Sequence, residues 1–190
     1  MSIPTDDITK LHLLMSVVIL AFMNELDEAW SQMLAAATAN AKASGRNDVA
    51  DYLTLKHSND MIRQASVDWL FGSFIEIASE ANRQNSFVTI EREDPHEFRF
   101  GNATMAGSLL RVRLGVRNLT VEAGWTRIPS HGVMRGGALA SGRISHFGVP
   151  KADVELTLER EGEIPVWKTT GGANFVFESV TQHLAILLES

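Results

Sequence analysis

Residues 82–90, NRQNSFVTI, mark the point at which the hydrophobic pattern of the chain changes. Before this stretch, apolar residues recur every three or four positions, as on one face of a helix. After it, apolar and polar residues alternate in short runs, as in half-buried strands. Helices followed by an antiparallel sheet make an α+β fold. We therefore expect a helical part over residues 1–85 and an antiparallel β part with a C-terminal helix over residues 86–190, packed as one compact unit.

The helical part is predicted to contain three helices. Thr5 and the two aspartates after it form a helix start, and Gly45 offers a stop. A short helix then runs to about Lys56. Ser58 or Asn59 caps a second long helix.

The longest apolar run of the chain lies in the first of these helices, from Leu11 to Met23. Its length is below the roughly 18 residues that cross a bilayer as a helix, and it lacks the basic start of a signal peptide. It therefore predicts no membrane contact. Because the run is apolar on more than one helix face, we expect a homodimer formed through the N-terminal helix. The chain contains no cysteine, which fits a cytoplasmic protein and excludes disulfides and zinc–thiolate sites.

The clearest strand is LLRVRLGVR, residues 109–117. Val112, Leu114 and Val116 are predicted to lie on one face of this strand. Asn118 is interpreted as the turn that follows. The opposite face would carry a row of arginines: Arg111, Arg113 and Arg117.

Turn residues place the other strands. Residues 94–95, Asp-Pro, predict a turn between two strands, and residues 161–162, Glu-Gly, predict a hairpin. Pro165 places the second strand of that hairpin at a sheet edge. Residues 175–177 are predicted as the last strand. Residues 180–188 fit both a helix and a strand, and the helix is favoured.

The charge of the chain is unevenly distributed. Residues 97–145 carry seven basic and two acidic side chains, whereas residues 1–96 carry seven and fourteen. All seven basic residues of the middle block are arginines, whose planar guanidinium groups suit carboxylate or phosphate ligands. This block is interpreted either as a surface that faces an anion or as the solvated face of a sheet. The acidic N-terminal block disfavours nucleic acid as a partner.

Residues 124–148, GWTRIPSHGVMRGGALASGRISHFG, are the candidate functional segment. They hold six of the fourteen glycines and no acidic residue. Glycines permit sharp bends and close approach of backbone N–H groups to a ligand, although a long connection with bulges between strands would look the same. The segment matches no P-loop and no dinucleotide fingerprint, so no cofactor is predicted. With the strand above, it predicts these anion-binding residues: Arg111, Arg113, Arg127, Arg135, Arg143, Gly136 and Gly137.

Catalysis is the second hypothesis for this segment. His131 and His146 are candidate general bases, and Glu122 is the only acid of the block placed to orient a histidine. The chain has no GxSxG elbow, and its six histidines lack the spacing of metal ligands, so no metal is predicted.

The stretch GVMRGGALAS, from Gly132 to Ser141, resembles the glycine-rich helix start of hot-dog-fold thioesterases. Arg135 stands where that pattern has histidine, and the acid that usually follows is absent. The resemblance covers about ten residues and implies a buried helix after the glycines.

Three hypotheses of function result. The leading one is a non-enzymatic binding module with an arginine-rich surface for an anionic ligand. The alternative is a hydrolase-type enzyme that acts on an anionic small molecule, with His131 or His146 as general base. The third is a purely structural protein in which the arginines only solvate the sheet or pair with acidic side chains.

Overall fold

The computed structural model describes residues 32–84 and 86–189. The chain forms two compact units, Met1–Ser58 and Asn59–Ser190. Helices precede a six-stranded antiparallel sheet and a short C-terminal helix, so the predicted α+β class is confirmed. None of the helices in the described ranges is long and apolar enough to cross a membrane.

The first unit contains residues 32–43 as a helix, α1, and the beginning of the next helix. Gly45 follows α1 with a φ of 72°, and its N–H donates to the carbonyl of Lys42 at 3.0 Å. The predicted glycine stop is therefore confirmed, because only a residue without Cβ adopts this backbone at little cost. The predicted start at Thr5 and the apolar run from Leu11 to Met23 lie outside the described residues.

The second helix, α2, runs without interruption from Asn47 to Arg83. The prediction of two helices separated near Ser58 is wrong. Ser58 and Asn59 have cap-forming side chains, but neither proline nor glycine accompanies them, and nothing in the local sequence ends the helix. Instead, the Asn59 Oδ1 accepts a hydrogen bond at 2.9 Å from Arg160, in the sheet.

The second unit contains the sheet, whose strands follow one another in chain order as an open meander. Every neighbouring pair is antiparallel. The strands are β1 Thr89–Phe100, β2 Ala103–Leu114, β3 Arg117–Trp125, β4 Ala140–His146, β5 Val154–Glu161 and β6 Ile164–Thr169.

Two of the predicted turns are not turns in the structure, because their residues lie within strands. Asp94 and Pro95 do not separate two strands, because β1 continues through them with a change of register between Glu93 and His96. Such a bulge absorbs extra residues without ending the strand. The turn predicted at Asn118 occurs instead at residues 115–116, where Gly115 has a φ of 60°.

The face of the sheet that packs on α3 and on the part of α2 within the second unit, here called the inner face, holds the main core. Its members include Leu110, Val121 and Ile144 from three adjacent strands. The α2 side chains of Phe71 and Phe74 are fully buried against them. Apolar side chains at every second strand position therefore bury one face of the sheet, as the alternation predicts.

The C-terminal helix, α3, spans Phe177–Glu189 and covers the inner face through Val180, Leu184 and Leu187. The helix favoured for residues 180–188 is confirmed. The strand predicted over residues 175–177 is wrong: Phe177 is already the first residue of α3. The predicted hairpin at residues 161–162 is confirmed, and β6 is an edge strand.

Candidate functional site

The outer face of the sheet, opposite to α2 and α3, carries most of the predicted anion-binding arginines. Arg111 and Arg113 lie two residues apart on β2, and Arg143 lies on β4. Register places Arg111 opposite Glu91, and Arg143 between Glu122 and Glu155. Directly opposed residues in an antiparallel pair share one face. Arginines and glutamates are therefore interleaved across the outer face.

These outer-face ion pairs are long. Arg111 and Arg113 lie 3.4 and 3.6 Å from carboxylates of β1, and Arg143 lies 3.7 and 3.8 Å from its two glutamates. Some other pairs are within normal hydrogen-bond distance, for example 2.8 Å between Arg63 and Asp60, whereas Arg92 and Asp68 are 3.7 Å apart. The outer-face guanidinium groups thus lie near carboxylates. However, many of their N–H donors form no hydrogen bond of normal length with these carboxylates.

Arg143 is held by a neutral partner. Its Nη2 donates to the backbone carbonyl of Arg99 at 3.1 Å, closer than either carboxylate. This contact fixes the position of the guanidinium group without cancelling its charge. About a third of the Arg143 side chain is exposed, so it remains accessible from solvent.

Glu122 is at the centre of the outer face, and its partner is His96. The His96 Nε2 lies 2.8 Å from Glu122 Oε1, and its Nδ1 lies 3.4 Å from Glu93. Both His96 and Glu122 side chains are 17% exposed, so the pair is partly shielded from water. Glu122 does contact a histidine, as its type suggested, but that histidine is neither His131 nor His146.

Sequence reasoning missed His96. It precedes Glu122 by 26 residues and lies in the strand two positions away in the sheet. No spacing rule connects such residues, because their contact depends on the register of two hairpins. The only local signal was the polar character of His96 next to Pro95 at a β1 bulge.

Arg117 does not continue the arginine row of β2. The turn at residues 115–116 places it on β3, opposite Leu114 and thus on the inner side of the sheet. Its Nη1 donates to the carbonyls of Leu187 and Leu188 at 3.1 and 3.3 Å. These carbonyls end α3, where the helix dipole favours a positive charge. Arg117 therefore caps a helix.

The glycine-rich segment, residues 124–148, is a connection in its first half and a strand in its second. Short 3₁₀ turns occur at Pro129–His131 and Arg135–Gly137, and residues 140–146 form β4, in the interior of the sheet. No buried helix follows the glycines, so the structure implied by the thioesterase resemblance is absent here. Gly136 and Gly137 have φ values of 62° and 74°, conformations that favour glycine.

The connection also covers an apolar corner of the outer face. Phe98, Phe100, Ala103 and Met105 are buried there and pack with Met134 of the connection. The connection therefore closes a second, smaller core. This role explains the segment structurally without a ligand.

Arg127 and His131 lie in the same connection. The Arg127 guanidinium carbon is 4.9 Å from the centre of the Trp125 ring, a cation–π arrangement. The backbone N–H of Arg127 donates to His131 Nδ1 at a long 3.4 Å. Arg127 and His131 therefore neighbour each other in this connection.

His146 belongs to the inner face. Its Nε2 lies 2.9 Å from the Nδ1 of His183 on α3, and its backbone N–H donates to Asp153. Burial lowers the pKa of His146, an effect that Asp153 partly opposes. Burial and the neighbouring His146 lower the pKa of His183 to about 4. The pair is therefore neutral at pH 7, with one ring donating to the other.

The described part of the chain contains no group of three histidines or acidic residues that could hold a metal ion. The chain matches no protein-family model, no curated protein and no solved structure.

Proposed function

We propose that the protein is a non-enzymatic binding module whose ligand is an anionic small molecule held on the outer face of the sheet. The observation that carries this proposal is the loose pairing of Arg111, Arg113 and Arg143. Among the residues that the structure describes, no carboxylate accepts from these three arginines at normal hydrogen-bond distance. A phosphate or carboxylate offers two oxygens that match the planar fork of N–H donors on a guanidinium group.

The cost of displacing the existing pairs is small. Partly exposed ion pairs contribute about 0–1 kcal/mol each, because water screens both charges. Glu122 is engaged by His96 at 2.8 Å, whereas its distance to Arg143 is 3.8 Å. A ligand anion would therefore replace weak contacts with charge-assisted hydrogen bonds.

The spacing of the arginines indicates a ligand with more than one charge. Arg111 and Arg113 lie about 7 Å apart along one strand face. Arg143 is two strands away, beyond β3. A single inorganic ion reaches one of these groups, whereas a linear polyphosphate or a dicarboxylate reaches two.

Tripolyphosphate is the probe that tests this proposal. Titration of tripolyphosphate into ¹⁵N-labelled protein is expected to shift amide signals on β1 to β4. The affinity should fall as salt is added, since exposed charges are screened. Arg143→Gln should weaken binding about tenfold, the effect of losing one charge-assisted contact. Arg111→Gln with Arg113→Gln should weaken it further.

Arg83→Gln is the matched control, because Arg83 is an exposed arginine paired with Glu80 at the end of α2. It should leave the affinity unchanged. Equal affinity of the wild type and the Arg143→Gln protein, or signals that shift only outside β1 to β4, would reject the proposal.

Hydrolysis of an anionic small molecule is the second candidate function, and the contact between His96 and Glu122 favours it. A carboxylate that orients an imidazole is a recurring part of general-base sites. His131 and His146 remain predicted bases. Assays with aryl phosphates and aryl esters on the His96→Gln, His131→Gln and His146→Gln proteins separate the three. Absence of turnover by the wild type would remove this candidate.

A further inference from the structure

An apolar pocket lies at the opposite edge of the second unit from β1. It has a volume of about 400 Å³ and is formed by three residues each from α2, from β6 and from the chain entering α3. Pockets that enclose small molecules span roughly 300–1,000 Å³. None of the outer-face arginines lines this pocket.

The walls of this pocket are aromatic and uncharged. Trp167 and Phe175 line it and are almost fully buried. The indole N–H of Trp167 donates to the backbone carbonyl of Ser66 at 3.0 Å, so its one polar group is already satisfied. None of the described residues that line the pocket carries a charged side chain. The ring of Trp167 thus presents an apolar surface to any occupant.

The rim of the pocket exposes large apolar side chains. Trp69, Phe177 and Val176 are 41%, 45% and 49% exposed. Exposed apolar groups that surround a concave apolar surface are typical of binding sites, because an occupant removes them from water together. Trp69 lies on α2, Val176 directly precedes α3 and Phe177 is its first residue; both helices are held by the main core.

We infer that this pocket binds a small, uncharged molecule that contains an aromatic ring. The volume suits a small molecule, and the aromatic walls offer stacking and edge-to-face contacts. An added peptide strand is disfavoured, because Pro165 removes a backbone donor from the edge strand β6. A charged ligand is disfavoured, because its desolvation would find no compensating partner.

The probe that tests the inference is N-phenyl-1-naphthylamine, a neutral aromatic molecule that fluoresces strongly in apolar surroundings. We expect saturable binding by the wild type at one molecule per chain. In ¹H–¹⁵N spectra, the indole N–H signals of Trp69 and Trp167 should shift, and that of Trp125 should not.

Val176→Lys places a charge on the rim at a half-exposed position and should weaken binding about tenfold or more, given the cost of a charge beside an apolar ligand. Ile164→Lys is the matched control: Ile164 is 67% exposed on the same edge strand and does not line the pocket. Its affinity should equal that of the wild type. A circular-dichroism melt of each variant checks that both fold.

Three results would overturn the inference. The first is absence of saturable binding by the wild type. The second is equal weakening by Val176→Lys and Ile164→Lys, which would indicate a non-specific surface. The third is a wild-type dimer in light scattering that becomes monomeric in Val176→Lys and binds no probe, which would assign the patch to a second copy of the chain.

Discussion

The arginines on the outer face of the sheet are paired less closely than the polar side chains buried on its inner face. On the inner face, His146 and His183 form a buried pair at 2.9 Å, and Arg117 donates to the last carbonyls of α3. On the outer face, Arg111 and Arg143 lie 3.4–3.8 Å from their carboxylates. Buried polar groups need well-formed partners, because nothing else replaces the water they lose.

The two faces differ in how much stability would be lost if their polar side chains served a binding site. Inner-face groups are engaged by the fold, so changing them removes packing or a needed hydrogen bond. The outer-face arginines contribute little to the free energy of unfolding and are partly exposed to solvent. A site on the outer face is therefore compatible with an intact core, and the following substitutions measure how far the two faces differ.

Phe74→Ala should have the largest effect. Phe74 is fully buried between α2 and the inner face, so its removal leaves a cavity and lowers the free energy of unfolding by about 3–5 kcal/mol. Urea denaturation followed by tryptophan fluorescence measures this change. Val116→Ala, at the exposed tip of the β2–β3 hairpin, should lie within about 0.5 kcal/mol of the wild type. Similar values for the two variants would contradict the assignment of the core.

Met105→Ala tests the exception on the outer face, the corner covered by the glycine-rich connection. Met105 is almost fully buried there, and the loss should be about 2–4 kcal/mol in the same denaturation experiment. Ser145→Ala, at a half-buried position on the outer face of β4, is expected to change stability by less than about 0.5 kcal/mol. A negligible effect of Met105→Ala would mean that the connection does not close this corner.

Acidification should weaken the inner face through the histidine pair. His183 takes up a proton near its ordinary pKa of 6.5 in the unfolded chain and at about 4 in the folded protein. Between these pH values the unfolded state holds more protons, so the free energy of unfolding falls as the pH falls, by about 3 kcal/mol in total.

The measurement is a series of urea denaturations from pH 7 to pH 4. His183→Asn keeps a hydrogen-bonding group near the Nδ1 position and does not titrate, so its pH dependence should be shallower than that of the wild type. The nearby Asp153 opposes the shift of both histidines and is unchanged in this variant. Identical pH dependence in the two proteins would show that the pair does not drive acid sensitivity.

Arg117→Met should lower the free energy of unfolding by about 1–2 kcal/mol. The substitution keeps an apolar side chain of similar length and removes two hydrogen bonds to the carbonyl end of α3. Relative to the wild type, amide hydrogen exchange should become faster in the last turns of α3 and change less in the rest of the second unit. Unchanged exchange there would contradict the capping role.

Arg113→Met should have the smallest effect and is the matched comparison for Arg117→Met. Its one long ion pair lies on the outer face with nearly half of each side chain exposed, so the loss should be below about 0.5 kcal/mol. Thermal denaturation at low and high salt measures it. A loss as large as that of Arg117→Met would remove the distinction between the two faces.

The class of the fold was predictable because it depends on local periodicity. The alternation in β2 correctly placed Arg111 and Arg113 on the face opposite Val112. Glycines that need positive φ correctly marked the end of α1 and the β5–β6 hairpin. Element boundaries were wrongly predicted at polar residues that are common at such boundaries but also occur inside elements. Ser58 is of a type that caps helices but lies within α2, and Asn118 is of a type that forms turns but lies within β3.

The candidate site was predictable only in part, for the same reason. Arg143 and Glu122 were both selected from the arginine-rich block, and the structure brings them together on adjacent strands. His96 was not selected, because its relation to Glu122 exists only after two hairpins have formed. The aromatic pocket could not be predicted from the sequence, because Trp69 and Trp167, which both line it, are separated by about half of the chain.

The sequence by itself thus determined the α+β class, the order of helices and sheet, and the side of β2 on which its arginines lie. Tertiary structure alone decided that Arg117 caps α3, that the second half of the glycine-rich segment becomes β4, and that His96 meets Glu122. The physical reason is the range of each effect. Periodicity and turn preference act over a few residues, whereas partners across a sheet follow from strand register, and a shift of one residue moves every side chain to the other face.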